Sequence, residues 1–394
     1  MLSALNRFTC PVCVGLLLAC LASASALAKD VEVKPTYRLW IVIGIEGQDV
    51  RLAVDMCAEQ TVLLRSEAER LKLKIEGPPA DTVAGPGETI VSTALDVHVQ
   101  LGEQQVVTNI AVVEDPPYSD IVGAVGWSWL KQTRFVINWD AQQIQFLGGD
   151  DDLGQGLEGF TAFGLSDQVP LAAISLGGEK DGLVYLDTGS FAGVAVSDAR
   201  WASFRKQHPQ APKTLQAQYD ASAGVIATEI MWADRYDLGK LTLRATTLES
   251  CTRGHAALPG FQAILGISAM FNLHWVVDGP GGQVLIRPVP EIRTPFDYNR
   301  AGAVFLPKGP GDDTLVARVV EGGPAYVAGV RDGDALLAIG DLDVTRWRTD
   351  PKVLPLSRFW WQPAGNRLEL KLRSGGRSKL AAVTLRDLFP RADP

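Results

Sequence analysis

An aspartate ends an apolar, strand-like run at two places in the chain. The run 183–186 leads into Asp187, which Thr-Gly-Ser and a second apolar run follow, and the run 50–54 leads into Asp55 and another apolar run. Burying an unpaired carboxylate is costly. Each aspartate is therefore either hydrogen-bonded within a tight turn or held in place for chemistry. For Asp187 alone a simple hairpin turn is an equally good interpretation, because Asp, Thr, Gly and Ser all favour turns.

A second pair of matching segments follows the two aspartates. Val125-Gly126 precedes a short helix and an apolar strand, and Leu265-Gly266 does the same further along the chain. The order of strand, Asp turn, strand, variable middle, hydrophobic-Gly pair, helix and strand therefore occurs once per half. A repeat of this length predicts two similar lobes about a pseudo-twofold axis, with the Asp turns facing each other.

This arrangement resembles the aspartic peptidase family, specifically the retropepsin-like type duplicated in one chain. The segment Asp187-Thr188-Gly189-Ser190 carries the family's turn motif in full, whereas Asp55-Met56-Cys57-Ala58 matches it only at the first and last positions. The resemblance implies that Asp55 and Asp187 are catalytic. It also implies a set of residues that support the two turns: Ala58, Gly126, Thr188, Gly189, Ser190 and Gly266.

Met56 and Cys57 depart from the family's pattern. Met56 has no hydroxyl to hydrogen-bond across the axis, and Cys57 adds a side chain where glycine allows close approach. Three interpretations follow. The chain is an endopeptidase in which the Asp pair shares a proton and activates a water, or it is a noncatalytic module that binds peptides. The third, a Cys57 nucleophile, has no histidine near it in sequence to act as base.

Other chemistries find little support in the sequence. The four histidines are widely spread and show no metal-ligand spacing. No phosphate-binding loop or dinucleotide fingerprint is present. The formal net charge of −8 argues against nucleic acid as a partner. We therefore expect no metal and no cofactor, and the expected partners are polypeptide substrates or protein C-termini.

The N-terminal residues 1–28 have the features of a removed signal peptide. Arg7 supplies positive charge, an apolar run follows, and Ala26-Leu27-Ala28 is a small-residue cleavage signal. The alternative is a lipid anchor at Cys20, which ends a lipobox-like segment. No later run is apolar enough to span a bilayer. The chain is thus expected to be exported, as a periplasmic or secreted protein or, in the alternative, as a membrane-anchored lipoprotein.

The mature chain would keep Cys57 and Cys251, one in each lobe. In an oxidising compartment a disulfide between them is one interpretation. The favoured interpretation is two reduced thiols that behave as small apolar residues.

Two Gly-rich hairpin tips lie where the resembled family keeps a substrate-covering flap. Gly85 and Gly87 flank Pro86 in the first lobe, which we expect to span residues 29–150. Gly224 follows a polar tip in the second lobe, expected over 151–290. Ordinary hairpin turns account equally well for these glycines.

Beyond a Pro-rich boundary, residues 296–390 resemble a PDZ domain. The resemblance rests on Gly323-Pro324-Ala325, Ala328-Gly329 and Gly333-Asp334. It implies that a peptide C-terminus adds a strand to a sheet edge. The matching carboxylate loop is Gly302, Ala303, Val304 and Phe305, and Asp350-Pro351 is the expected start of the groove helix, with Pro355 expected to shorten or bend it. The predicted architecture is therefore mainly β, with two retropepsin-like lobes followed by an α+β PDZ domain.

Overall fold

The chain folds mainly into β-strands, as the sequence predicts. A computed structural model describes residues 38–77, 91–101, 104–115, 121–147, 157–176, 182–220, 224–251, 256–292, 297–309, 312–350 and 353–390. The expected signal segment 1–28, with Cys20, and the flap glycines Gly85 and Gly87 lie outside these residues. Within the described ranges, no helix is both long and apolar enough to cross a membrane.

The first half of the molecule runs to residue 147. Its strands are β1 (Trp40–Ile45), β2 (Gln48–Val54), β3 (Val62–Leu64), β4 (Ile75–Glu76), β5 (Val91–Leu101), β6 (Gln104–Val113), β7 (Gly123–Val125), β8 (Arg134–Asn138) and β9 (Gln143–Phe146). Its helices are α1 (Arg65–Arg70) and α2 (Trp127–Leu130). Alternating apolar residues over 94–101 and 106–113 predict a hairpin, and the antiparallel pairing of β5 with β6 confirms it.

The second half covers residues 157–292. Its strands are β10 (Thr161–Gly164), β11 (Ala173–Ser175), β12 (Leu183–Asp187), β13 (Val194–Val196), β14 (Lys213–Asp220), β15 (Gly224–Leu238), β16 (Leu241–Ser250), β17 (Phe261–Gly266), β18 (Leu273–Asp278) and β19 (Gln283–Pro288). Its helices include α3 (Asp198–Gln207) and α4 (Ile267–Met270). The sequence predicts a helix from Asp198 to His208 after the Asp187 turn, and α3 confirms it.

The strand pairings around the first aspartate recur around the second. Each Asp strand runs parallel to the strand that precedes the hydrophobic-Gly helix, as β2 does to β7 and β12 to β17. The strand after each Asp turn runs antiparallel to that same partner, as β3 does to β7 and β13 to β17. It also runs parallel to a hairpin strand, β6 or β16. The two Asp turns are therefore built on the same local framework.

One sheet joins the two halves. Its strand order is β10-β19-β18-β8-β9-β1-β2-β7-β3-β6-β5-β4, and β18 pairs antiparallel with β8 at the junction. The Nε of Arg134 on β8 lies 3.0 Å from Oδ1 of Asp278 on β18. The other strands of the second half form a seven-stranded sheet in the order β11-β12-β17-β13-β16-β15-β14. The two halves therefore share one hydrogen-bonded sheet.

A shared apolar core fills both halves. It contains side chains from both Asp strands, including Leu52, Val54 and Leu186. Sequence alternation directs side chains into it: on β5, Val97 and Val99 are buried and the residues between and after them are exposed. A period of two is what a strand with one buried face requires.

A separate sheet follows residue 297, and we call residues 297–390 the C-terminal unit. Its strands are β20 (Ala303–Gly309), β21 (Asp312–Val319), β22 (Ala335–Ile339), β23 (Leu342–Asp343), β24 (Arg367–Ser374) and β25 (Arg377–Thr384), and its helices are α5 (Pro324–Val327) and α6 (Ser357–Trp360). The strand order is β20-β21-β22-β24-β25, with β23 beside β22. This sheet has its own apolar core.

The prediction that a groove helix begins at Asp350-Pro351 is wrong. Residues 353–356 are not helical, and α6 begins at Ser357. Pro355 explains the late start, because proline has no N–H for a helical hydrogen bond and its ring clashes with the preceding turn. The helix that does form is four residues long and buries Phe359 and Trp360.

Candidate active site

The Asp55 turn follows the end of β2. Asp55 donates its N–H to the carbonyl of Val125 at 3.0 Å. Its Oδ1 accepts the N–H of Cys57 at 2.9 Å. Its carbonyl accepts the N–H of Ala58 at 3.3 Å, and the carbonyl of Ala58 accepts the N–H of Trp127 at 2.7 Å. The predicted supporting residue Ala58 therefore connects the turn to the start of α2.

The Asp187 turn repeats this geometry at the end of β12. Oδ1 of Asp187 accepts the N–H of Gly189 at 3.0 Å. Its carbonyl accepts the N–H of Ser190 at 3.4 Å, and the carbonyl of Ser190 accepts the N–H of Ile267 at 2.8 Å. Asp187 also lies beside Gly266 in the parallel pairing of β12 with β17. Four of the predicted residues are thus brought together here.

Gly126 and Gly266 are required by close backbone approach. A Cβ on Gly126 would lie 2.4 Å from the carbonyl oxygen of Gln60, and one on Gly266 would lie 2.3 Å from that of Ala192. Both distances are shorter than real Cβ contacts allow, and the obstacle is backbone. Each glycine therefore lets the chain after an Asp turn pack directly onto the hydrophobic-Gly segment.

Gly189 brings the second turn against the first carboxylate. A Cβ on Gly189 would lie 2.6 Å from Oδ2 of Asp55. The N–H of the same glycine donates to Asp187. Both carboxylates therefore lie next to Gly189.

Thr188 forms hydrogen bonds across the interface between the turns. Its Oγ1 accepts the N–H of Met56 at 3.0 Å and donates to the carbonyl of Val54 at 2.8 Å. The hydroxyl is buried, since Thr188 is 2% exposed. One side chain thus holds the backbone on both sides of Asp55 in place.

Met56 takes a different role from Thr188. Its side chain is wholly buried in the apolar core. Its carbonyl accepts the N–H of Ala172 at 2.9 Å, and the carbonyl of Ala172 accepts the N–H of Leu186 at 2.9 Å. The backbone of Ala172 therefore links the first turn to the second Asp strand. The resemblance to aspartic peptidases implies a threonine hydroxyl for this contact, at the position that Met56 occupies.

Burial dominates the electrostatics of the Asp pair. Asp55 is 5% exposed and Asp187 is 1% exposed. Burial raises the pKa of Asp55 to about 6, although hydrogen bonds from Cys57 and Ala58 oppose the rise. Burial, followed by the charge of Asp55, raises the pKa of Asp187 well above its usual value. Oδ2 of Asp187 is buried and has no hydrogen-bond partner among the described residues.

Arg38 makes the pair asymmetric. Arg38 is 4% exposed, and its guanidinium lies 5.3 Å from the ring centre of Phe191, just after the Asp187 turn. The positive charge of Arg38 lowers the pKa of Asp55, against the larger effect of burial. When the pair holds one proton, Asp187 is therefore the better site for it.

The structure describes only part of the two hairpins that we expect to be flaps. Gly85 and Gly87 fall outside the described residues, so the first flap stays a prediction. Gly224 has a φ of +73° and begins β15, opposite Asp220 across the hairpin with β14. Gln218 on this hairpin donates from Nε2 to Oε2 of Glu249 at 2.7 Å. The hairpin thus reaches the strand β16, which pairs with β13 next to the Asp187 turn.

Cys57 and Cys251 are not joined by a disulfide. Both belong to one small apolar cluster, in which Cys57 is buried. Apolar surroundings disfavour a thiolate, so the site gives no support to a Cys57 nucleophile. Within the part of the chain that the structure describes, no group of three or more His, Cys, Asp or Glu side chains is placed to hold a metal ion.

The predicted carboxylate loop lies at the start of the C-terminal unit's first strand. Gly302 has a φ of +67°, a conformation that favours glycine, and Ala303, Val304 and Phe305 open β20. All four residues are buried. They are far in sequence from the Asp pair, and the strand β20 contacts β14 and β15 of the body.

Sequence reasoning missed several residues of the site. Arg38 stands at the start of an apolar run, and a charged residue at that place is a signal that could have been noticed. Glu249 and Ala172 carry no local signal, because their roles come from strands that are distant in sequence.

Comparison with known proteins adds two distant structural likenesses. EIAV protease complexed with the inhibitor HBY-793 is 19% identical over 26% of this chain and 93% of that chain, with a TM-score of 0.20. The retroviral protease-like domain of Ddi1 from Leishmania major is 17% identical over 30% of this chain and 99% of that chain, with a TM-score of 0.22. No protein-family model and no curated protein matches the chain. At such TM-scores the likeness establishes no fold, so the assignment depends on the Asp turns and strand pairings themselves.

Proposed function

We propose that this chain is an aspartic-type endopeptidase with a duplicated, retropepsin-like body and a C-terminal unit of PDZ type. The observation that carries the proposal is the Asp pair: two buried carboxylates lie next to Gly189, and both have raised pKa values. Desolvation and like charge are what make two carboxylates share a proton. The recurring strand pairings support a pseudo-twofold relation between the turns.

The pair hydrolyses a peptide bond without a covalent intermediate. Ionised Asp55 takes a proton from a water, whose oxygen attacks the peptide carbonyl carbon, while Asp187 gives its proton to the carbonyl oxygen. The resulting diol returns a proton to Asp187 as the C–N bond breaks, and Asp55 passes its proton to the leaving nitrogen. Arg38 supports these roles because its charge favours the ionised form of Asp55.

This mechanism has a pH dependence with a definite sign. The reaction needs one proton on the pair, so activity rises with pH as the first proton leaves, near the pKa of about 6 for Asp55. It falls again only when the second proton leaves at higher pH. We therefore expect cleavage near neutral pH and little at pH 4 to 5.

The test is cleavage of an unfolded protein by the full chain from about pH 4 to pH 9. Asp55→Asn and Asp187→Asn should each lose cleavage, by about 1,000-fold or more if general acid and base catalysis are lost. Asp49→Asn is the matched control, because Asp49 is exposed on the same strand as the Asp55 turn. Wild-type protein that is as inactive as both variants at every pH would contradict the proposal.

One observation favours the alternative, a noncatalytic peptide-binding module. Met56 has no hydroxyl, so its side chain cannot return the hydrogen bonds that Thr188 makes to the first turn. If the wild type binds unfolded polypeptide without cutting it, and Asp187→Asn binds equally well, this alternative replaces the peptidase.

The C-terminal unit is proposed to be PDZ-like from its sequence motifs and strand order. Helix α5 follows Gly323 with Pro324 in its first turn, and Gly329 and Gly333 have φ values of +90° and +82°. These are glycine positions on which the resemblance to PDZ domains rests. In this proposal the unit binds polypeptide chains or C-termini for the cleft.

Export is also a proposal, since residues 1–28 lie outside the described ranges. The mature N-terminus in a bacterial host would decide it. A chain beginning at Lys29 supports a removed signal peptide, and a lipid-modified Cys20 supports the lipoprotein alternative.

A further inference from the structure

The C-terminal unit contacts the body at the hairpin β14–β15. Among the described strands, β14 is the last strand of the seven-stranded sheet, and β20 is the last strand of the C-terminal sheet. Both β14 and β15 contact β20. Two sheet edges therefore lie against each other at this junction.

Asn299 joins the C-terminal unit to β14. Its main-chain carbonyl accepts a hydrogen bond from Oγ1 of Thr214 at 2.7 Å. Its Nδ2 donates to the carbonyl of Leu215 at 2.9 Å. Asn299 is 3% exposed and Thr214 is fully buried. Breaking either contact would leave a buried polar group without its partner, which is costly.

The same side chain holds the glycine loop that opens β20. Oδ1 of Asn299 accepts the N–H groups of Ala301 and Gly302 at 2.9 and 3.2 Å. Nδ2 also donates to the carbonyl of Ala303 at 2.7 Å. One buried amide therefore fixes both the loop and the hairpin, and neither can shift without changing its hydrogen bonds to the other.

An aromatic cluster closes the junction beside Asn299. Trp232 on β15 stacks on Phe389 with ring centres 5.7 Å apart, and Phe389 packs on Tyr298 at 4.5 Å. Trp232 and Phe389 are both buried. The Tyr298 hydroxyl accepts the N–H groups of Leu388 and Phe389. This apolar contact opposes free hinging between the C-terminal unit and the body.

The far end of the hairpin contacts the strand next to the Asp187 turn. Gln218 donates to Glu249 at 2.7 Å, and Thr228 donates to Oε1 of Gln218 at 3.1 Å. Glu249 is opposite Ala195 of β13, the strand that follows the Asp187 turn. The hairpin is thus held at its base by Asn299 and near its tip by Glu249.

From these contacts we propose that the C-terminal unit positions the β14–β15 hairpin for substrate binding, and that Asn299 is the positioning residue through which it does so. This inference depends on the proposed function, because it assigns the hairpin to the side of the Asp pair on which substrate binds. The unit then acts on substrate binding through a fixed contact, and not only as a tethered recruiting module.

The experiment compares Thr214→Val with Thr214→Ser in the full chain. Valine has the shape of threonine but cannot donate to Asn299, whereas serine keeps the hydroxyl. Backbone hydrogen exchange of residues 213–220 should become about tenfold faster in Thr214→Val, the effect of losing one buried hydrogen bond. Thr214→Ser should restore slow exchange. Residues 91–101, in the corresponding hairpin of the first half, should not change in either variant.

A kinetic measurement separates positioning from simple stabilisation. For a peptide substrate, Thr214→Val should raise KM about threefold or more, with kcat within about twofold, because the Asp pair is untouched. Asn299→Ala should act in the same direction and more strongly, since it removes both Nδ2 donors. Unchanged exchange in 213–220, equal acceleration in 91–101, or a lowered kcat with unchanged KM would each overturn the inference. If the wild type cleaves nothing, the proposed function fails, while the exchange result still decides whether Asn299 couples the unit to the hairpin.

Discussion

The turns of Asp55 and Asp187 share a framework but differ in how they are held. Both aspartates accept a hydrogen bond from the residue two positions on, and both pack on a hydrophobic-Gly segment. The second turn supplies the Thr188 hydroxyl to the first, whereas Met56 returns only a backbone contact through Ala172. The comparison shows that one threonine can hold the backbone on both sides of Asp55, although the first turn lacks the Asp-Thr-Gly motif.

The most damaging change should be a methyl group at either hydrophobic-Gly position. We expect Gly126→Ala and Gly266→Ala each to lower the free energy of unfolding by about 3 kcal/mol, since the new Cβ would lie against a backbone carbonyl that cannot move freely. Urea unfolding measures the effect. Gly164→Ala is the control, because a Cβ there meets nothing within 4 Å. A loss confined to one half would break the comparison between the turns.

The next largest effect should fall on Gly189 and not on Cys57. Gly189→Ala places a methyl 2.6 Å from Oδ2 of Asp55 and should reduce kcat/KM by about 100-fold through misplacement of that carboxylate. Cys57→Gly removes a side chain that packs in an apolar cluster, and should leave kcat/KM within about threefold. Steady-state cleavage of a peptide measures both. Equal losses would show that the turns are not as different as their contacts indicate.

Thr188→Val tests the hydrogen bonds that cross the interface. It leaves the Val54 carbonyl and the Met56 N–H without their partner and should cost about 2 kcal/mol of unfolding free energy. Thr188→Ser keeps the hydroxyl and should cost clearly less. Chemical unfolding compares the two variants, and similar losses would assign the effect to packing of the methyl group.

Met56→Thr tests whether the first turn can also form the hydrogen bonds that Thr188 makes from the second. A threonine restores the motif, but Met56 is wholly buried in the apolar core. We expect a loss of about 2 kcal/mol from lost apolar burial and a poorly paired hydroxyl. A more stable variant would mean that the site can accept the symmetric network after all.

Glu249 provides the smallest test, on a buried position that differs between the halves. When the two halves are matched at Gly126 and Gly266, Val62 on β3 corresponds to Ala195 on β13. Glu249, which is opposite Ala195, therefore stands where the first half has Ala111, which is opposite Val62. Burial raises the pKa of Glu249 from 4.5 to about 7. The folded state therefore holds this proton more tightly, so the stabilisation is complete below pH 4.5 and is lost as pH rises through 7.

Glu249→Gln should remove that dependence. Between about pH 5 and pH 7 the wild type should lose about 2 kcal/mol of unfolding free energy relative to the glutamine variant. Unfolding curves at several pH values measure it. Parallel pH profiles for the two proteins would show that Glu249 does not titrate in this interval.

Much of the fold could be predicted from local patterns. Apolar runs that end at Asp55 and Asp187 predicted the two turns, and alternation predicted hairpins such as β5–β6. The helix at the expected PDZ groove was misplaced, because Pro355 delays its start to Ser357. The effect of Pro355 was visible in the sequence, but the length of helix that survives it depends on packing of the unit's core.

The sequence by itself determined which residues bear the charge and which positions must be glycine. Those are properties of single side chains: a carboxylate in an apolar run needs partners, and a Cβ is either tolerated or not. Only the tertiary structure decided how the unequal first turn is held, through Thr188 and Ala172, and how Asn299 couples the C-terminal unit to β14. Those contacts join strands that are distant in the chain, and a linear pattern carries no information on which backbone groups will meet across an interface.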